Sequence, residues 1–161
     1  MQYEITTRDL AAQPIVSIRE RLPQSDIPAF LGRSFGDLFG RLGLLGAAPM
    51  GPPFVIYHEF AADAIDAEVC VPVSGTIAAS GHIQARTLLA MAVASTLHVG
   101  PYEECAAAYD ALTEWISRTG HEAAGPMLER YLNGPGDVTS PAEYRTQIEV
   151  PIERAAVAVA G

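Results

Sequence analysis

Along the chain, apolar and polar residues alternate, then fall at helical spacing, then alternate again, and this cycle runs twice. Tyr3-Glu4-Ile5-Thr6-Thr7 and Ile15-Val16-Ser17-Ile18-Arg19 alternate and are rich in β-formers, which predicts two strands paired with each other. From Pro28 the period lengthens. Ile27, Leu31, Phe35, Leu38, Leu42 and Leu45 share a helical face with Gly43 at the C-cap position, predicting a helix over about residues 26–42. After a Gly, Ala and Pro-rich loop at 46–53, the runs 54–58 and 67–73 read as strands.

The second cycle predicts strands at 83–88 and 92–99. Gly100-Pro101-Tyr102 opens a helix that carries Cys105, Tyr109, Leu112 and Ile116 on one face and ends at Gly120. A strand at 128–132, a turn at 133–137 and a strand at 144–151 complete it.

The cycles also match by letter. Gly51, Pro52 and Tyr57 overlay Gly125, Pro126 and Tyr131 at an offset of 74, Gly43 overlays Gly120 at 77, and Val71-Pro72-Val73 overlays Val150-Pro151-Ile152 at 79. These landmarks imply one α+β domain over residues 1–161, duplicated at about 1–78 and 79–161. Two pseudo-symmetric strand-helix-strand-strand modules would form a curved antiparallel sheet carrying two helices, with a ligand cleft at their seam.

Composition narrows the chemistry. The 161 residues carry a net charge of −9, and all 10 basic residues are arginines, so lysine Schiff-base chemistry and a P-loop lysine are absent. A pI near 4.8 argues against direct nucleic-acid binding, which needs a basic footprint. Cys70 and Cys105 fit neither a disulfide framework nor a CxxC metal site, and a reduced, cytoplasmic protein is the simplest expectation. No apolar run approaches the roughly 18 residues of a membrane span, and the N-terminus does not read as a signal peptide. His58, His82, His98 and His121 show no metal-ligand spacing, and neither a GxSxG elbow nor a glycine-rich phosphate loop occurs. No cofactor or metal is expected.

The residues His98-Val99-Gly100-Pro101-Tyr102-Glu103-Glu104, Ala108-Tyr109-Asp110-Ala111-Leu112 with Trp115-Ile116, Gly125-Pro126 with Glu129-Arg130-Tyr131-Leu132, and 144–151 together resemble the GyrI-like small-molecule-binding domain, the effector-binding module of AraC-type and MerR-type multidrug regulators. The likeness covers nearly the whole chain and implies a stand-alone member, whose transcriptional output would need another chain. It also implies an acidic residue in the cleft that meets cationic, lipophilic, aromatic ligands. Glu129 matches that position.

The residues point the same way independently. Glu129 and Tyr131 lie two apart on one strand face, while the repeat equivalent of Glu129 is Val55. A carboxylate in an apolar cleft has a raised pKa unless a cation compensates. The alternative is an exposed Glu129, or one paired with Arg130 or Arg145. Tyr57 and Tyr131 are repeat equivalents that would flank the seam as stacking walls or serve as packing residues. His58 and His98 are candidate hydrogen-bonding contacts, or ordinary core or surface histidines. Tyr102 would close the end of the cleft or belong to a helix start, and Trp115 is assigned to the core.

Two function classes follow. One is a binder of hydrophobic, cationic or aromatic small molecules through Glu129, Tyr131, Tyr57, His58, His98 and Tyr102, which reports to a regulator or acts on DNA gyrase. The other, implied by hydrolytic members of the family, is a hydrolase of cyclopropane-containing DNA-alkylating natural products with Glu129, Tyr57 and Tyr131 as catalytic groups. A third expectation is an adaptor whose seam is plugged by Leu88, Met91 or Phe60.

Overall fold

The structure, a computed structural model, describes residues 3–75 and 77–154. The final residues of the expected second repeat, 155–161, lie outside the described residues. In chain order the elements are β1 (Thr6–Leu10), β2 (Gln13–Leu22), α1 (Ile27–Leu44), β3 (Phe54–Phe60), β4 (Ile65–Pro72), β5 (Gln84–Leu88), β6 (Met91–Val99), α2 (Ala106–Arg118), β7 (His121–Ala123), β8 (Met127–Tyr131) and β9 (Arg145–Arg154). The expected α+β class is what the chain forms: an antiparallel sheet with two helices packed against it.

The expected pairing of the first two strands is corrected. β1 pairs with β6 of the other half, and β2 pairs with β4 and β5, giving the order β1-β6-β9-β8-β3-β4-β2-β5 with the short β7 on β9. The physical reason lies in the links. A two-residue hairpin needs a residue at positive φ, and the links Ala11-Ala12 and Leu89-Ala90 supply none, since every positive-φ residue is a glycine elsewhere. The chain therefore runs on instead of doubling back. Each link spans at most roughly 10 Å, so it draws opposite ends of the sheet together and the sheet curls into a half-barrel. The strand order reads the same from either edge, with β3 and β8 at its centre, which is compatible with the duplication.

Each helix buries one stripe on its own half. In α1, Phe30, Ser34, Leu38 and Leu42 recur every four residues and pack with Val16, Ile18, Val55, Val69 and Val71. In α2, Ala108, Leu112 and Ile116 pack with Ala94, Ile148 and Ile152, and Trp115 borders this cluster as expected. Gly43 does not cap α1. The helix runs to Leu44 and the chain leaves through Gly46 at φ +65°, whereas α2 is followed by Gly120 at φ +73° as expected. Inside the half-barrel, on the face away from the helices, Ile15, Phe54, Ile56, Cys70 and Leu128 form a third cluster, against which Leu88 and Met91 pack. Those two residues therefore do not plug the seam on the helix side, and Phe60 is half exposed against the Tyr57 ring.

Candidate functional site

β3 and β8 meet at the centre of the sheet with Val55 opposite Glu129 and Tyr57 opposite Met127. Cross-strand partners share a face, and alternate residues along a strand do too. Val55, Tyr57, Met127, Glu129 and Tyr131 therefore face the helices, while Phe54, Leu128 and Arg130 face the half-barrel interior. The helices flank this seam, α1 on β2 and β4 and α2 on β6 and β9: Phe35 of α1 lies edge-on to Tyr131 at 6.1 Å between ring centroids, and Tyr109 of α2 reaches the carboxylate.

Glu129 is the acid of an aromatic cluster. The Tyr131 hydroxyl donates to Glu129 Oε2 at 3.4 Å. Burial pushes the Glu129 carboxyl up from its ordinary range, and hydrogen bonds from the Tyr109, Tyr57 and Tyr131 phenols oppose the rise. The phenols pay the reciprocal effect, because removing their protons beside a buried carboxylate is unfavourable. Tyr57, Tyr109 and Tyr131 are all raised, by burial first and Glu129 second. They are donors at every physiological pH.

Neither alternative for Glu129 holds. It is only partly exposed, and none of the ten arginines forms an ion pair with it. Arg130 points the other way, its guanidinium 4.4 Å from the centre of the Phe54 ring and hydrogen-bonded to the buried Glu149.

The other candidates separate. Tyr102 stacks on Tyr144 at 4.8 Å and lies edge-on to Tyr131 at 5.5 Å, so it extends the aromatic wall outward. His98 is buried on the helix side, but both ring nitrogens are engaged, Nδ1 with the Tyr3 hydroxyl at 2.9 Å and Nε2 with the Pro101 carbonyl at 3.0 Å. His58 is not brought to Glu129 at all. It bonds Glu68 Oε1 at 2.8 Å, together with Ser17 and Arg86, on the opposite face. These bonds, led by Arg86, overcome the cost of burial and hold Glu68 down at about 2.

Three residues around Glu129 carry little or no signal in the sequence. Tyr109 was read only as a packing position, although its phenol reaches Glu129. Cys105 is buried among the tyrosines, where burial and Glu129 push its thiol up to about 12. Thr146, the register partner of both Tyr131 and His98, is fully buried with its hydroxyl unpaired. The sequence carried a signal only for Tyr109, through the motif Ala108-Tyr109-Asp110. Among the described residues no group of three or more His, Cys, Asp and Glu is arranged to hold a metal ion, and no helix is long and apolar enough to cross a membrane. Two open concavities of about 420 and 440 Å³ lie away from Glu129, on either side of Tyr3.

A curled antiparallel sheet, two helices on one face and a carboxylate between them define a small-molecule-binding domain. The model of the GyrI-like small molecule binding domain matches residues 1–153, and the chain belongs to that family. Among solved structures it is similar to the C-terminal domain of EcmrR, with 23% identity and a TM-score of 0.85 over 96% of this chain and 100% of that one. In the EcmrR–DNA complex the match covers 95% of this chain and 58% of EcmrR, so the chain spans little more than half of that regulator. It is also similar to SAV2435 bound to tetraphenylphosphonium (18% identity, TM-score 0.67, 95% and 94% covered) and to a hydrolase from Listeria innocua (10% identity, TM-score 0.68, 93% and 92% covered). None of the curated proteins matches it.

Proposed function

We propose that this protein captures lipophilic, aromatic cations between its two helices, with Glu129 as the anchoring charge. The observation that carries this reading is a partly buried carboxylate with a raised pKa, ringed by three phenols and paired with no arginine. An ionised carboxylate in such surroundings is stabilised by a ligand that brings a diffuse positive charge and aromatic surface, while a strongly hydrated cation loses more solvation than it gains. Tyr57, Tyr109, Tyr131 and Tyr102 supply ring faces for that contact and phenol donors that hold the carboxylate between ligands. SAV2435, with the same fold, holds tetraphenylphosphonium, which makes that cation the natural first probe.

The same geometry suits a second reading. A carboxylate with a raised pKa beside neutral phenols has the parts of a general base and acid for opening an electrophilic ring with water. One experiment separates the two. Thermal stability is measured for wild type and Glu129→Gln with tetraphenylphosphonium and with cyclopropane-containing alkylators, and products are followed by mass spectrometry. A Glu129-dependent rise in Tm without product supports capture. Turnover lost in Glu129→Gln supports hydrolysis, and no Glu129-dependent effect with any probe removes both.

A further inference from the structure

The two halves build the same turn ahead of their helices and furnish it differently. Pro23 (φ −62°, ψ 150°) and Pro101 (φ −59°, ψ 147°) each open a single 3-10 turn, over Gln24–Asp26 and Tyr102–Glu104. Each turn closes alike: the Asp26 N–H donates to the Pro23 carbonyl at 3.0 Å, and the Glu104 N–H to the Pro101 carbonyl at 3.1 Å. The strand residue three before each proline sits at the corresponding rung, Glu20 opposite Ala67 and His98 opposite Thr146. Glu20 is exposed and accepts from Arg33 at 3.4 Å. The first turn thus folds without a histidine beneath it.

In the second half His98 is buried, with Nε2 3.0 Å from the Pro101 carbonyl. A carbonyl only accepts, so Nε2 carries the ring hydrogen. In the neutral imidazole Nδ1 then accepts from the Tyr3 hydroxyl at 2.9 Å. Gly100, at φ +137°, turns the chain back over the ring. Among the described residues, His98 makes the one side-chain hydrogen bond to the turn at 100–104. The clasped turn carries Tyr102, whose ring stacks on Tyr144 at 4.8 Å and meets Tyr131 edge-on at 5.5 Å. Its phenol is pushed up by burial first, then by Tyr144, Cys105 and Glu129. The first turn carries Gln24 at the same position, in the half where Val55 stands in place of Glu129.

We propose that His98 is a positioning residue of the ligand site: by holding the Pro101 carbonyl it fixes Tyr102 as an aromatic wall beside Glu129, and Tyr3 fixes His98 in turn. The assignment rests on capture of aromatic cations at Glu129. A ring held in place beforehand loses less freedom on binding, so the clasp raises affinity for ligands that contact Tyr102. His98 acts through Tyr102 and touches no ligand itself, because both of its nitrogens are engaged.

Isothermal titration of the full chain with tetraphenylphosphonium, together with hydrogen exchange of the free protein, tests the proposal. His98→Leu is expected to weaken binding by about threefold to tenfold, and His98→Gln, whose amide still donates to Pro101, to bind within about twofold of wild type. Tyr102→Ala weakens binding at least as much, and adding His98→Leu to it changes nothing further. Without ligand, His98→Leu speeds exchange of the Glu104 and Cys105 amides, which close the turn, and leaves those of β8 unchanged. Additive losses from His98→Leu and Tyr102→Ala overturn the proposal. So does a His98→Leu variant that binds like wild type, or one whose faster exchange is absent from the turn or spreads to β8. In those results capture at Glu129 still stands. Wild-type binding indifferent to Glu129→Gln removes capture and the proposal together.

Discussion

Glu129 and Val55 stand directly opposite each other across the central strand pair, so the midline of the sheet presents a carboxylate to the helices on one side and an aliphatic side chain on the other. The positions have equivalent surroundings in strand order, and only one is charged. The electrostatics of the cluster follow from that difference.

A carboxylate anchors a cation only when ionised, and the pKa of Glu129 is raised. Affinity for tetraphenylphosphonium is therefore expected to fall as pH drops through a window above the ordinary carboxylate value of 4.5, and to plateau at higher pH. In Glu129→Gln the pH dependence disappears and affinity falls about tenfold to hundredfold at neutral pH. Isothermal titration across pH 4 to 8 measures both, and a variant that keeps the wild-type slope assigns the titration to another group.

Linkage gives the sign for stability. A carboxyl raised on folding stabilises the fold below its unfolded pKa, and that contribution is lost as pH rises through the folded value. Glu129→Gln is accordingly expected to match or exceed wild-type stability at pH 7 without ligand. Chemical denaturation at pH 7 and pH 4 shows whether the advantage shrinks in acid.

Tyr109→Phe keeps the ring but removes a donor to the ionised form of Glu129, so the midpoint of the binding profile moves to higher pH. The fold loses about 1 kcal/mol, the usual net worth of one hydrogen bond. A variant with unchanged midpoint would place the Tyr109 phenol outside the carboxylate's reach.

Glu68 has the opposite linkage. Its pKa is held at about 2 by Arg86, Ser17 and His58, so its stabilisation is present above the ordinary value of 4.5 and lost as pH falls toward 2. Acid unfolding is expected to set in across that interval, and Glu68→Gln to cost about 3 kcal/mol at pH 7, discounted because Arg86 reaches solvent. Urea titration at pH 7 and pH 3 distinguishes this network from a passive one, since the difference between wild type and variant must shrink at the lower pH.

Cys105 lies beside the tyrosines around Glu129 as a buried, neutral thiol raised to about 12, and Cys70 is buried inside the half-barrel, where burial pushes its thiol well up. Ellman's reagent is expected to label native protein only on the timescale of opening, and both thiols rapidly in denaturant. Ligand bound at Glu129 should slow Cys105 selectively, which peptide mapping after partial labelling reads directly.

Much of this molecule was legible in its residues because the signals are local. Helical spacing at Phe35, Leu38 and Leu42 and alternation at 54–58 report which side chains must be buried together, and burial decides the element. Glu129 stood out because it is a charge at a position where period and repeat both call for an apolar residue. Pairing was a different matter. Whether β1 joins β2 or β6 depends on two-residue links that no strand pattern encodes, and their lack of a positive-φ residue sends the chain across to the other half.

Faces and partners were likewise decided by the tertiary structure. Strand alternation turns His58 to the face opposite Tyr57, but only the fold brings it to Glu68 there, while Tyr109, fifty-odd residues further along the chain, arrives at Glu129. Sequence determined which residues are apolar, which can donate or carry charge, and hence the class of fold. Which of them meet is set by strand register and by helix placement over the seam, because hydrogen bonds and ion pairs act over about 3 Å and a single residue of register reverses the face.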